Sequence, residues 1–394
     1  MAVAGLDELL ARGVRGARVF VRSDLNVPLR DGAIADDTRV RASVPTLARL
    51  LEAGARVVVA SHLGRPKGQR SEALSLRPVA PRLAELLGAG VSFCEDCIGE
   101  SARRAVAELG EGHCLLLENL RFHAGETKND PDFARALAEL ADVYVNDAFG
   151  TAHRAHASTA GIAAHVERAA AGLLLLSELE HLEVVRTPER PLAVVLGGAK
   201  VSDKLAVLEA LTPHADVLCV GGAMSYTFLA AQGQGVGRSL MESDRVPDAK
   251  RVLAAAEQSG RRLLLPHDHV VAQKIEPGAE TRVVKEIPDG WMGVDIGPET
   301  AERYAEALAG ARTLFWNGPM GIFEVPEFSH GTARVARAAA EASATSIVGG
   351  GDSLAAINQL GLGDRITHLS TGGGASLEYV QGLVLPGVAA LERT

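Results

Sequence analysis

Short apolar runs rich in Val, Leu and Ile alternate along the whole chain with Ala-rich stretches of helical period. In the first half the runs fall at Ala17–Val21, Ala55–Ala60, Val91–Cys94, Cys114–Leu117 and Val143–Asn146. In the second half they fall at Leu192–Leu196, Val217–Val220, Leu263–Leu265, Thr313–Trp316, Ser346–Val348 and His368–Ser370. Strands alternating with helices in this way predict parallel sheets covered on both faces. The helix ends carry their own signals. Thr38 stands ready to cap Arg39–Glu52, with Gly54 just past its end, and Pro131 sits where a first helical turn begins before Asp132–Leu140.

A chain of 394 residues exceeds what one core usually supports, so two lobes are expected. The boundary falls best in Ala169–Arg186, an Ala/Leu-rich stretch with helical period, after which Pro188 and Pro191 break the pattern. The predicted architecture is α/β: two doubly wound parallel-sheet lobes of Rossmann-like type, joined by a helix.

The composition narrows the class. Hydrophobic residues at 47% and charged residues at 23% suit a soluble globular protein. Aromatics at 4% leave the cores to be built from Val, Leu, Ile and Ala. A net charge of −9 argues against a nucleic-acid or membrane-surface partner, so any basic site must be local. Met1 is not followed by a leader-like segment, and no apolar run approaches the ~18 residues of a membrane span, which predicts a cytoplasmic protein. Cys94 and Cys97 form a C-x-x-C, while Cys114 and Cys219 stand alone. With no second pair, the expected reading is structural thiols, although redox work or half a zinc site has the same spacing.

Ligand sites in open α/β sheets lie beyond the carboxyl ends of the strands. In the first half those ends read Arg22–Pro28, Ser61–Gly68, Glu118–Phe122 and Asn146–His156. Arg22, Arg65, Arg121 and Arg154, with Arg39 at a helix start, predict a basic pocket in an otherwise acidic chain. Arginine suits bidentate recognition of phosphate or carboxylate, so a polyanionic small molecule is the expected occupant. His62, His153 and His156 can add charge there, but no ligand spacing points to a transition metal. Asp24 and Asn26 either hold substrate hydroxyls or, in the case of Asp24, fix an arginine or a turn.

The second half is glycine-rich at its strand ends. Gly197–Lys204 joins the run Leu192–Leu196 to the helical pattern Leu205–Leu211, and Lys200 and Lys204, four apart, are expected on one face of that helix's first turn. Exposed amides and two cations there favour a phosphate. The spacing is not that of a Walker P-loop. Gly221-Gly222, Trp316–Gly321, Gly349–Ser353 and Thr371–Gly374 add further amide-rich turns, as in nucleotide sites. Asp352 is either an oxygen ligand for Mg²⁺ or a helix N-cap, and Glu324 is a candidate for a ribose hydroxyl.

In these segments, which run in order over nearly the whole chain, the sequence resembles the phosphoglycerate kinases. The resemblance implies lobes at 1–170 and 187–377, a connecting helix at 171–186, and a tail, 378–394, returning to the first lobe. It implies transfer of a phosphoryl group between 1,3-bisphosphoglycerate and ADP, giving 3-phosphoglycerate and ATP, in a monomer with no nucleic-acid or membrane partner. It places Asp24, Asn26, Arg39, His62, Arg65, Arg121 and Arg154 on the phosphoglycerate. It places Lys204, Gly297, Glu324, Gly350, Gly351, Asp352 and Ser353 on the nucleotide, with Asp352 also on Mg²⁺. Lys200, Arg39, Gly373 and Gly374 then act on the phosphoryl group in flight. Ser353 stands where the family often has Thr, and either keeps a hydroxyl.

This agrees with elementary chemistry. The nucleophile in the ATP-consuming direction is a carboxylate, ionised near neutral pH, so no general base is needed. What remains is in-line positioning and charge neutralisation across a cleft that closes. Two rival readings are weaker. A Rossmann dehydrogenase needs G-x-G-x-x-G directly after a strand, and Gly233-x-Gly235-x-Gly237 follows a helical pattern instead. A non-catalytic relative would have lost Lys200, Arg39 or Asp352, and all three are present.

Overall fold

The computed structural model describes residues 3–392, so the outermost positions of the two expected lobe termini, 1–2 and 393–394, lie outside the described residues. The chain divides into two compact units. One runs up to Leu179 and takes up the segment from Val384 on, and the other spans Glu180–Leu383.

The first unit is a six-stranded parallel sheet. Its strands are β1 (Arg18–Ser23), β2 (Arg56–Ala60), β3 (Val91–Cys94), β4 (Cys114–Leu117), β5 (Val143–Asp147) and β6 (Arg168–Ala171), in the order β3-β4-β2-β1-β5-β6. Five of them were legible as Val/Leu/Ile runs. β6 was not: its Arg-Ala-Ala-Ala sequence reads as helix, yet it pairs with β5 in the register Val143↔Arg168. The expected helix therefore starts later, at Leu173, and runs to Arg186. Asp147 explains the break at Gly172. Its Oδ1 caps the new helix by accepting from Leu174 N at 2.9 Å, and a Cβ on Gly172 would lie 2.2 Å from that oxygen.

The unit division falls inside this helix, between Leu179 and Glu180, rather than at its ends. The returning segment also begins later than expected, at Val384. The helix Gly374–Val380 stays with the second unit, and Gly387 N donates to Ala152 O at 2.8 Å within the first.

The second unit has its own six-stranded parallel sheet. It consists of β7 (Leu192–Leu196), β8 (Val217–Val220), β9 (Arg262–Leu264), β13 (Thr313–Asn317), β14 (Thr345–Gly349) and β15 (His368–Ser370), in the order β9-β8-β7-β13-β14-β15. Between β9 and β13 the chain adds an antiparallel sheet of β10 (His269–Ala272), β11 (Thr281–Val284) and β12 (Met292–Ile296), absent from the sequence reading. Each unit buries a separate aliphatic core. Val19, Val21, Val57, Val59 and Leu116 are inside the first, and Ala193, Val195, Leu314, Trp316 and Val348 inside the second.

In both sheets the chain fills one side of a central strand and then crosses to its other side. The crossing points lie beside β1 and β5 in the first unit and beside β7 and β13 in the second. A crevice is expected beyond the carboxyl ends of those pairs.

Candidate active site

β1 ends on Arg22, whose guanidinium is 0% exposed and fully engaged. Its Nε donates to Ser158 Oγ at 2.9 Å, its Nη1 to Ser23 O, and its Nη2 to His62 Nδ1 at 3.0 Å. Ser158 passes the contact on, donating from Oγ to Glu126 Oε1 at 2.7 Å and from N to Oε2 at 3.0 Å. Glu126, also buried, is thus the counter-charge held behind the arginines. Sequence reasoning passed over both residues, because neither stands in a strand-end run.

Asp24 accepts from Arg39 Nη1 at 2.8 Å, so it does fix an arginine. Asn26 Oδ1 accepts Gly64 N at 2.9 Å, tying the loop after β1 to the loop after β2. Arg121 follows β4 on a short 3-10 turn capped by Asn119, and its Nη1 donates to Gly64 O at 2.8 Å. Its Nε and Nη2 are buried with no partner, which marks them as donors waiting for an anion.

Burial, then the charges of Arg22, Arg154 and Arg65, lower the Arg121 pKa to about 10. Burial and the charges of Arg22, Arg121, Arg39 and Arg154 hold His62 well below its usual range. Five arginines therefore converge on one site in the first unit. The histidines do not add to its charge as expected. Burial lowers His153, and takes His156 to about 4, so both are neutral near pH 7. Arg65 is exposed, and Arg154 Nε faces His153 Nε2 at 3.1 Å.

In the second unit, the loop after β7 does not go straight into helix. Lys200 and Lys204 flank a turn, with Lys204 N donating to Val201 O at 2.9 Å, and the helix begins at Leu205. The two lysines are therefore not neighbours on a helix face. Lys200 is exposed, while Lys204 is drawn in and donates from Nζ to Asn317 Oδ1 at the end of β13. Burial lowers the Lys204 pKa to about 8, against the pull of Asp203 and Asp352. Glu242, unremarked in the sequence, braces the turn by accepting from Ser202 N at 2.9 Å and Ser202 Oγ at 2.6 Å.

The strand-end turns pack backbone to backbone. Gly222, at φ +67°, donates to Met320 O at 2.9 Å, and a Cβ on it would lie 2.6 Å from Gly198 N. Only glycine allows that approach. Beside these turns is a cavity of about 330 Å³ lined by Gly198, Ala199, Gly222, Glu324 and Asp352, with Leu240 and Ile275 among its apolar walls. Those two side chains are 57% and 56% exposed, a flat apolar rim suited to an aromatic base.

The expected nucleotide residues divide. Glu324 and Asp352 share the cavity. Asp352 is the second residue of the helix Gly351–Gln359, whose N-cap is Gly350, so the capping role falls away and its carboxylate is exposed. Ser353 is buried and its hydroxyl accepts Gly318 N at 2.6 Å, bracing the turn after β13. Gly297 is not at this cavity. It caps the helix Pro298–Ala309, and its N donates to Asp268 O at 2.8 Å. From the preceding strand it is Gly293, within β12, that lines the cavity, and a Cβ there would lie 2.0 Å from Tyr226 Oη. A glycine inside a strand is a mark of close approach, and that signal was available. Gly373 and Gly374 open the helix Gly374–Val380 after β15, Gly373 at φ +56°.

Comparison with known proteins gives one answer. A family model described as phosphoglycerate kinase matches residues 9–383. The phosphoglycerate kinase of Moorella thermoacetica is 56% identical over 377 residues, 95% of this chain and 96% of that protein. That of Anaeromyxobacter dehalogenans is 54% identical over 398 residues, the full length of both. The solved structure of phosphoglycerate kinase from Coxiella burnetii superposes with a TM-score of 0.90 at 40% identity, covering 99% of each chain.

Proposed function

The chain belongs to the phosphoglycerate kinase family, and from that premise we propose how its residues divide the work. The reaction is the reversible transfer of a phosphoryl group between 1,3-bisphosphoglycerate and ADP, giving 3-phosphoglycerate and ATP. The first unit takes the phosphoglycerate. The observation that carries this assignment is Arg121, buried with two idle guanidinium nitrogens and pressed by like charges. Such a group gains most from a bound anion. Asp24 presents Arg39, and Glu126 presents Arg22 through Ser158, so the cradle is fixed before substrate arrives.

The second unit takes the nucleotide. The base lies against Leu240 and Ile275, Glu324 meets the ribose, and the amides of the turns after β7 and β14 meet the phosphates, with Lys204 beside them. Asp352 suits Mg²⁺, because one exposed carboxylate beside a phosphate pocket is the usual protein share of that ion's ligands. When bound, the ion neutralises phosphate charge. In the ATP-forming direction the terminal ADP oxygen attacks the acyl phosphate and the carboxylate leaves. In reverse the carboxylate attacks. Neither direction draws on a histidine base, which accords with His62, whose basicity burial and the neighbouring arginines depress. Lys200 and Arg39 hold the charge spread over the moving phosphoryl oxygens.

We further take the enzyme to be a cytoplasmic monomer. A coupled assay with 3-phosphoglycerate, MgATP and a downstream dehydrogenase tests the whole reading. Turnover that chelator abolishes and excess Mg²⁺ restores is expected, whereas nucleotide binding without turnover would reject it.

A further inference from the structure

The loop after β3 and the 3-10 turn after β4 bring together a group of side chains that the kinase reaction does not use. Asp96 and Cys97 come from the first and His123 from the second. Asp96 Oδ1, Cys97 Sγ and a His123 ring nitrogen all lie within 4.8 Å of one another, the one cluster of this kind among the described residues. His123 Nε2 is 2.6 Å from Asp96 Oδ1, which also accepts Cys97 N at 2.7 Å. The Phe133 ring, 5.3 Å away, holds the imidazole in place. The thiol is 1% exposed, while the Asp96 and His123 side chains are 41% and 31% exposed. One side of the cluster is thus closed by protein and the other is open to solvent.

We propose that Asp96, Cys97 and His123 form a binding site for a thiophilic divalent cation of the Zn²⁺ type, distinct from the nucleotide-bound Mg²⁺. One thiolate, one imidazole and one carboxylate are a borderline-soft donor set, and three protein ligands leave a fourth, solvent-facing position for water. Tetrahedral Zn²⁺ needs ligand atoms roughly 3.3–3.8 Å apart, from bonds of about 2.0–2.3 Å. The His123–Asp96 pair must open slightly and the thiol must close in, both within the reach of side-chain rotation.

On binding, the S–H bond of Cys97 breaks, an S–metal bond forms, the proton goes to solvent, and no electron changes hands. The C-x-x-C in the sequence was therefore half a clue. Cys97 is a ligand, but its partners are Asp96 and His123 and not a second cysteine pair.

The test is titration of the full-length protein with Co²⁺, followed by displacement with Zn²⁺, in the absence of nucleotide. Wild type is expected to bind one equivalent of Co²⁺ with thiolate-to-metal absorption in the near ultraviolet and to release one proton per Zn²⁺ bound. Cys97→Ser is expected to lose that absorption, and His123→Gln and Asp96→Asn each to weaken binding at least ~10-fold. The latter two positions are partly exposed, so they keep the test valid if the buried serine variant does not fold. Titrations of His123→Gln and Asp96→Asn that match wild type, or a wild-type spectrum with no thiolate band, would overturn the proposal.

Discussion

Replacing Arg121 with Met should make the ligand-free protein more stable while weakening its hold on substrate. The cation is 7% exposed, with two nitrogens unpartnered. Its pKa falls from 12.5 to about 10, which corresponds to roughly 3 kcal/mol of unfavourable environment at 1.36 kcal/mol per unit, and about 2 after allowing for water reaching the cradle. Met keeps most of the stem and removes the charge, losing only the hydrogen bond to Gly64 O, worth about 1 kcal/mol. The net gain is on the order of 1 kcal/mol in the first unit, or about 2–4 °C in its midpoint. The ligand acts in the opposite sense. At 100 times its dissociation constant, 3-phosphoglycerate protects wild type by about 2.7 kcal/mol. Removing charged hydrogen bonds worth about 1.5–3 kcal/mol should cut that protection to about 1 kcal/mol or less.

Urea unfolding followed by circular dichroism, with and without 3-phosphoglycerate, reads both effects. Trp291 and Trp316, the protein's two tryptophans, lie in the second unit, so their fluorescence follows that unit separately. A variant less stable than wild type without ligand, or equally protected by it, would refute the reasoning.

Two pH dependences follow from the second unit. Lys204 is charged in the free enzyme only below about pH 8, so affinity for metal-free nucleotide should fall up to ~10-fold between pH 7 and 9. Calorimetric titration of Lys204→Arg should be flat over that range, and a flat wild type would contradict the assignment. Asp295 is buried, and desolvation raises its carboxyl to about 8, even though it accepts Gly331 N at 2.7 Å and Ile296 N at 2.9 Å. A raised carboxyl pKa contributes stability that is complete below the unfolded value near 4 and is lost as pH climbs toward 8. Asp295→Asn should therefore gain in stability relative to wild type as pH rises from 4 to 8, read by tryptophan fluorescence in urea. A pH-independent difference would reject it.

The parallel sheets were legible because buried parallel strands are written as unbroken aliphatic runs, such as Val143–Asp147 and Leu192–Leu196. Of the three antiparallel strands, β10 is buried but only four residues long, Thr281–Val284 is largely exposed, and Met292–Ile296 carries an internal glycine, so none reads as a long aliphatic run. Ala169–Ala171 reads as helix because alanine has no strand signature, and only pairing with β5 decides it. The arginines of the cradle were visible one by one at strand ends. Their support was not, since Glu126 and Ser158 meet Arg22 only through the tertiary fold, as Asn317 meets Lys204. The contact at Gly293 is hidden for the same reason: it stands second in β12, and only the fold brings Tyr226 against it.

The most direct test of the account is the turnover of Lys200→Ala at saturating 3-phosphoglycerate and MgATP, with both dissociation constants measured on the same variant. Lys200 is exposed in the free protein, so its charge matters chiefly when a phosphoryl group is in flight. A kcat lower by at least ~10²-fold, with both substrates still bound within several-fold of wild type, is the predicted result. Near-normal turnover would contradict it.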